Sequence, residues 1–136
     1  MRTIDSIIIH CSATKAGRNF TEKDIDTWHR TRGFSGIGYH WVVLLDGTLR
    51  KGRDESQTGA HCTQQRMNYR SIGICYIGGL DNNGRPADTR TAAQRHTLNS
   101  IIHDIRSRRG SNLKVYGHRD FAPKACPCFD AAVEYN

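Results

Sequence analysis

Ile4-Asp5-Ser6-Ile7-Ile8-Ile9-His10-Cys11-Ser12 decides the fold class of this chain. Three consecutive β-branched isoleucines predict a buried strand over Ile4 to His10, because a strand covered on both faces reads as a continuous apolar run. Polar His10, Cys11 and Ser12 end the run. His10 therefore falls at the strand's C-terminal end, the edge at which open α/β sheets bind ligands. Working outward, Tyr39 to Leu45 predicts a second buried strand, Asp46-Gly47 a two-residue hairpin turn, and Thr48 to Lys51 the returning strand. Ser71 to Ile77 predicts another strand, followed by a loop through Gly78-Gly79 and Asp81-Asn82-Asn83-Gly84. Leu113 to Tyr116 is a last short strand, running into a loop with His118, Pro123, Cys126 and Pro127.

Helices are signalled between these strands. Thr21-Glu22-Lys23-Asp24 has the spacing of a capping box, with Asp in the place usually held by Glu or Gln. Ile25, Trp28 and Arg32 follow at helical spacing, and Gly33 supplies the stop. Thr91-Ala92-Ala93-Gln94 opens a second helix, on which Leu98, Ile101, Ile102 and Ile105 share one face and which Gly110 closes. Strands mixed with helices, one hairpin among them, predict an α/β fold: a single domain over 1–136 with a mixed central β-sheet flanked by helices.

A chain of 136 residues has room for one buried core, and its 37% hydrophobic content argues against long disorder. The formal net charge of +7 favours polyanions in general, and charge alone does not choose among nucleic acid, membrane and cell wall. No recognised nucleic-acid motif or stacking-aromatic pattern accompanies it, so nucleic acid is not an expected partner. No apolar run reaches the roughly 20 residues of a membrane span. No signal peptide is expected at Met1-Arg2-Thr3-Ile4-Asp5, which implies cytoplasmic synthesis. Five cysteines (Cys11, Cys62, Cys75, Cys126 and Cys128) make an odd set, better read as reduced thiols with one on a metal than as a disulfide framework.

His10, His118 and Cys126 are the candidate ligands. Zinc takes imidazole nitrogen and thiolate sulfur, and a catalytic site uses three protein ligands with one position open. His10 ends one predicted strand, His118 follows another, and Cys126 lies eight residues further along the same loop. Spacing alone leaves other triplets open, since the chain has seven histidines.

The stretches IIIHCSATKAGRNF (7–20), GYHWVVLLDGTLRKGRDE (38–55), SIGICYIGG (71–79) and GHRDFAPKACPCFD (117–130) resemble the amidase-type lysozymes of T-odd coliphages, which are similar in turn to the peptidoglycan recognition proteins of animals. The likeness runs from about Ile4 to Asp130. It implies an N-acetylmuramoyl-L-alanine amidase, cutting the bond between N-acetylmuramic acid and L-alanine in peptidoglycan. It also implies one Zn2+ per chain on His10, His118 and Cys126, with Tyr39 and Lys124 as catalytic residues. Either could stabilise the oxyanion of the attacked carbonyl or deliver a proton. The region of His61 lines the family's peptide groove, so His61 is the substrate-binding candidate, with a plain loop histidine as the equal alternative. Stem peptide and muramic acid are then the partners of an enzyme expected as a monomer, acting on the wall after release or export.

Departures from the family are informative. Serine in the phage relative is replaced here by Cys128, a thiol that either competes for the metal or packs; the APKACP register favours Cys126. Arg119 and Asp120 depart from the relative's paired histidines and receive no role. His40 should face away from Tyr39 and be structural, Asn68 should shape a turn, and His29, His96 and His103 should be structural or exposed on helices. The competing class is a non-catalytic peptidoglycan-binding module. Such modules commonly lack the cysteine ligand, which is present here, so the resemblance favours a hydrolase.

Overall fold

The computed structural model describes residues 2–136. The chain runs through β1 (Ser6–Cys11), β2 (Thr14–Lys15), α1 (Glu22–Thr31), β3 (Trp41–Val43), β4 (Leu49–Lys51), a 3-10 segment (Gln64–Tyr69), β5 (Ser71–Tyr76), β6 (Gly79–Leu80), α2 (Ala92–Arg109), β7 (Lys114–Gly117), a 3-10 turn (His118–Asp120) and α3 (Ala131–Tyr135). The central sheet has the order β4-β3-β5-β1-β7. Only the β3–β4 pair is antiparallel; β3–β5, β5–β1 and β1–β7 are parallel. This is the expected mixed α/β sheet, with the triple-isoleucine strand buried along its whole length inside it.

Side chains alternate across the sheet. Ile7 and Ile9 of β1 face α2, joining Leu98, Ile101, Ile102 and Ile105 in the larger core. Ile8 points the other way, onto Cys62 and Met67. The same face carries α1, whose Ile25 packs with Val42, Cys75 and Ile77. His10, two residues beyond Ile8, emerges on this second face at the end of β1.

Both capping boxes form. The Thr21 hydroxyl accepts from Lys23 N–H while Asp24 accepts from Thr21 N–H, so Asp serves at that position. Thr91 and Gln94 pair reciprocally at α2. Several features differ from the sequence expectation. The strand expected over Tyr39 to Leu45 pairs only at Trp41–Val43. The hairpin loop has three residues rather than two: Leu44 N–H reaches Thr48 C=O, Gly47 N–H reaches Leu44 C=O, and Gly47 takes φ +87°. Glycine's freedom at positive φ permits this bulged turn as readily as the two-residue one. Gly79, expected in a loop, instead starts β6, which pairs with β2 in a separate two-stranded sheet. Residues 131–135 form α3, whose Ala131 and Tyr135 complete the core on the α2 face.

Candidate metal centre and cleft

Parallel pairing of β1 with β7 sets Ile9 opposite Gly117, so His10 and His118 leave the same edge of the sheet. The loop beyond turns back on itself: Arg119 N–H donates to Cys126 C=O at 2.8 Å, and the buried Tyr76 hydroxyl donates to Pro127 C=O at 2.6 Å. Cys126 is thereby returned to the end of β1, where Cys11 N–H donates to its sulfur at 3.3 Å. One ligand atom from each of His10, His118 and Cys126 lies within 4.8 Å of the other two.

Hydrogen bonds fix the tautomer of His10. Ser71 Oγ donates to Met67 C=O at 2.7 Å, so it accepts from His61 Nε2 at 3.4 Å. His61 Nδ1 is then an acceptor and takes the proton of His10 Nε2 at 2.8 Å. His10 Nδ1 is left as an acceptor, its lone pair facing the Cys126 thiol at 3.9 Å. Gly73 makes room for this relay, since a Cβ there would meet the His61 ring at 2.7 Å. At His118, Nε2 is buried with no hydrogen-bond partner among the described residues. A buried polar atom left unpaired calls for an explanation, and an ion or water outside the protein is one of the few available.

Burial, and then the neighbouring His61, holds His10 well below the ordinary imidazole range. His118 is lowered to about 4 by burial and then by the charge of Lys124. Both rings are therefore neutral at pH 7, the state in which imidazole binds metal. Two neutral imidazoles and a thiol, with no fourth side chain in the cluster among the described residues, are donors of the kind zinc takes when one position stays open. Ligand atoms about 3.3–3.8 Å apart would surround a tetrahedral ion, so the residues fit with a small contraction.

The cluster opens into a cleft of about 460 Å³. All six residues singled out in the sequence are brought together there or at its edge. Tyr39 stacks 5.0 Å from the His10 ring, and burial raises its phenol well above the usual value, so it stays protonated. Exposed Lys124 lines the opening, and His61, 8% exposed, lines the wall. Asn68 shapes the loop as expected, its side-chain oxygen accepting from His61 and Cys62 N–H at 2.8 and 2.7 Å. His40 is fully buried and structural: Nδ1 accepts from Gly73 N–H and Nε2 donates to Gln57 C=O.

Two cleft residues went unrecognised in the sequence. His29 accepts from Gly38 N–H through Nδ1, which leaves Nε2–H free, and its ring lies 5.3 Å from Tyr39. Arg32 ends the same helix and also lines the cleft. Their spacing from buried Ile25, four and seven residues, was the available signal.

Known proteins resemble this chain along most of its length. The family model described as N-acetylmuramoyl-L-alanine amidase matches residues 1–129. The endolysin of Enterobacteria phage T3 is 40% identical over 129 residues, 94% of this chain and 83% of that protein. The endolysin of Escherichia phage T7 is 39% identical over 127 residues, 93% of this chain and 82% of that protein. Among solved structures, the N-acetylmuramoyl-L-alanine amidase LysC from Clostridium intestinale superposes with a TM-score of 0.81 at 28% identity, covering 98% of this chain and 82% of that one.

Proposed function

This chain belongs to the N-acetylmuramoyl-L-alanine amidase family, and from that premise we propose that His10, His118 and Cys126 hold one zinc ion while Tyr39 and Lys124 act on the scissile amide. The chain is a peptidoglycan amidase of the endolysin type. One observation carries the metal assignment: the unprotonated His10 Nδ1 and a buried His118 Nε2 without a partner among the described residues meet beside the Cys126 thiol. Bound zinc would polarise the lactyl carbonyl and acidify a water.

The remaining roles follow from the side chains. Lys124, at the cleft mouth, sets its ammonium against the oxygen that gains negative charge as the carbonyl becomes tetrahedral. Tyr39 retains its Oη proton and offers it to that oxygen or to the departing amine of L-alanine. His61 has both ring nitrogens committed, to His10 and to Ser71. It therefore holds His10 in register and meets the stem peptide through the edge of its ring. We read 1–136 as one catalytic domain, acting as a monomer on muramic acid and stem peptide after release or export to the wall.

The test joins metal analysis to product analysis on the purified wild-type protein with peptidoglycan. One zinc per chain, released peptides with L-alanine at the new N-terminus and intact glycan strands are expected. Cleavage without zinc would overturn the metal assignment, and wall binding without cleavage would overturn the roles of Tyr39 and Lys124.

A further inference from the structure

A second thiol stands near the metal centre that the proposed reaction does not use. Cys11 follows His10 in β1 and points to the opposite face of the sheet. Its sulfur lies 3.9 Å from that of Cys128, 117 positions away along the chain. The Cys128 thiol donates to Gly79 C=O at 3.2 Å. Gly79 lacks the Cβ that would sit 2.5 Å from the Cys11 sulfur and 3.7 Å from the Cys128 sulfur, so no side chain wedges beside the two. The other thiols are placed differently: Cys62 and Cys75 lie in separate core clusters, and Cys126 faces His10 Nδ1.

We propose that Cys11 and Cys128 are an oxidisable pair, which a low-molecular-weight disulfide converts to a cross-link tying the Cys126 loop to the end of β1. The inference rests on the amidase reading in one respect only: the wall lies outside the reducing cytosol, so the enzyme meets an oxidising compartment when it reaches its substrate. Cys128, the less buried of the two, reacts first. Its thiol loses a proton and attacks one sulfur of the small disulfide, whose other half leaves as a thiol. Cys11 then loses its proton, attacks the Cys128 sulfur and expels the second half. Two protein S–H bonds are exchanged for one S–S bond, and one small disulfide is reduced to two thiols. Cys11 is buried and Cys128 half-buried, so the exchange is slow.

The bond would close a long loop and pin the element carrying Cys126 to the strand carrying His10. Its expected signature is a thermal midpoint higher by about 10 °C, since long-loop cross-links are the more stabilising ones. The experiment treats zinc-loaded wild-type protein and Cys128→Ser with oxidised glutathione, blocks free thiols, and digests with trypsin without reduction. The expected product joins the peptide of residues 3–15 to that of residues 125–136, with the midpoint raised and zinc retained. Cys128→Ser should keep its zinc and show neither link nor midpoint gain. A link that persists in Cys128→Ser, glutathione left as a stable adduct, or zinc expelled as the link forms would each overturn the proposal. Zinc content before oxidation reports separately on the metal assignment.

Discussion

Two of the polar clusters buried in this protein are built on opposite rules. Around Glu55, 7% exposed, each carboxylate oxygen is paired: Arg108 and Arg109 donate at 2.9–3.1 Å and Trp41 Nε1 at 2.7 Å. At the sheet edge, His118 Nε2 has no partner and His10 Nδ1 faces a thiol, beside an open cleft. The first cluster spends its charges on one another and leaves no valence for a ligand. The second leaves buried His118 Nε2 without a partner among the described residues and gives His10 Nδ1 only a 3.9 Å contact with the Cys126 thiol, a stability cost that a bound ion or water offsets. Substitutions should therefore separate cleanly: the sheet edge governs metal and turnover, the Glu55 cluster governs stability.

The largest effect should come from Cys126→Ser. Zinc content should fall to near zero and activity by about 10³-fold or more, or roughly 4 kcal/mol of transition-state stabilisation. Full activity with full zinc would move the third ligand elsewhere, with Cys128 first in line. Next come Tyr39→Phe and Lys124→Ala, each expected to lower kcat by about 10²–10³-fold while zinc stays stoichiometric. Zinc lost from either folded variant would merge ligand and catalytic roles that the geometry keeps apart.

Glu55→Gln tests the other cluster. Burial by itself raises the Glu55 carboxyl, but bonds from Arg108, Trp41 and Arg109 outweigh it and hold the group at about 2, against the usual 4.5. The folded state thus binds this proton later than the unfolded state. The stabilisation is complete above about pH 4.5 and is lost as pH falls through 2. At neutral pH the variant should be less stable by about 2 kcal/mol, allowing for the partial exposure of both arginines. The gap should close on acid titration, and specific activity below the unfolding transition should match wild type. A gap independent of pH would mean that packing, not charge, holds this region.

How much of the two clusters the sequence disclosed follows the same division. The isoleucine run placed β1 and its terminal histidine, because burial on both faces leaves a one-dimensional signature. The starts of α1 and α2 were legible in four-residue boxes, down to Asp24 standing in for Glu. Ligand positions needed the motif resemblance, since the return of Cys126 to β1 depends on a loop bond from Arg119 to Cys126 C=O that no periodicity encodes. The β2–β6 pair is two residues long on each side, too short to alternate visibly. Gln65 and Arg66 take φ +53° and +58°, conformations no residue preference there announces. The relay from Ser71 through His61 to His10 joins residues distant in sequence, as does the meeting of Glu55 with Arg108 and Arg109; both are products of tertiary packing alone.

The smallest expected effect comes from a site belonging to neither cluster. Thr91 caps α2, accepting from Gln94 N–H at 3.1 Å and donating to Leu45 C=O at 2.8 Å. Thr91→Ala removes both bonds and should cost about 1 kcal/mol, seen as a lower denaturant midpoint with an unchanged slope. Nothing in the cleft touches this residue, so zinc content and kcat should equal those of wild type. The value of the variant lies in that contrast. If a modest, remote loss of stability left turnover intact, the larger losses at Tyr39 and Lys124 would be read as chemistry. If Thr91→Ala also lost activity under folding conditions, the cleft would be answering to global stability, and the separation between the two clusters would fail where it should be easiest to observe.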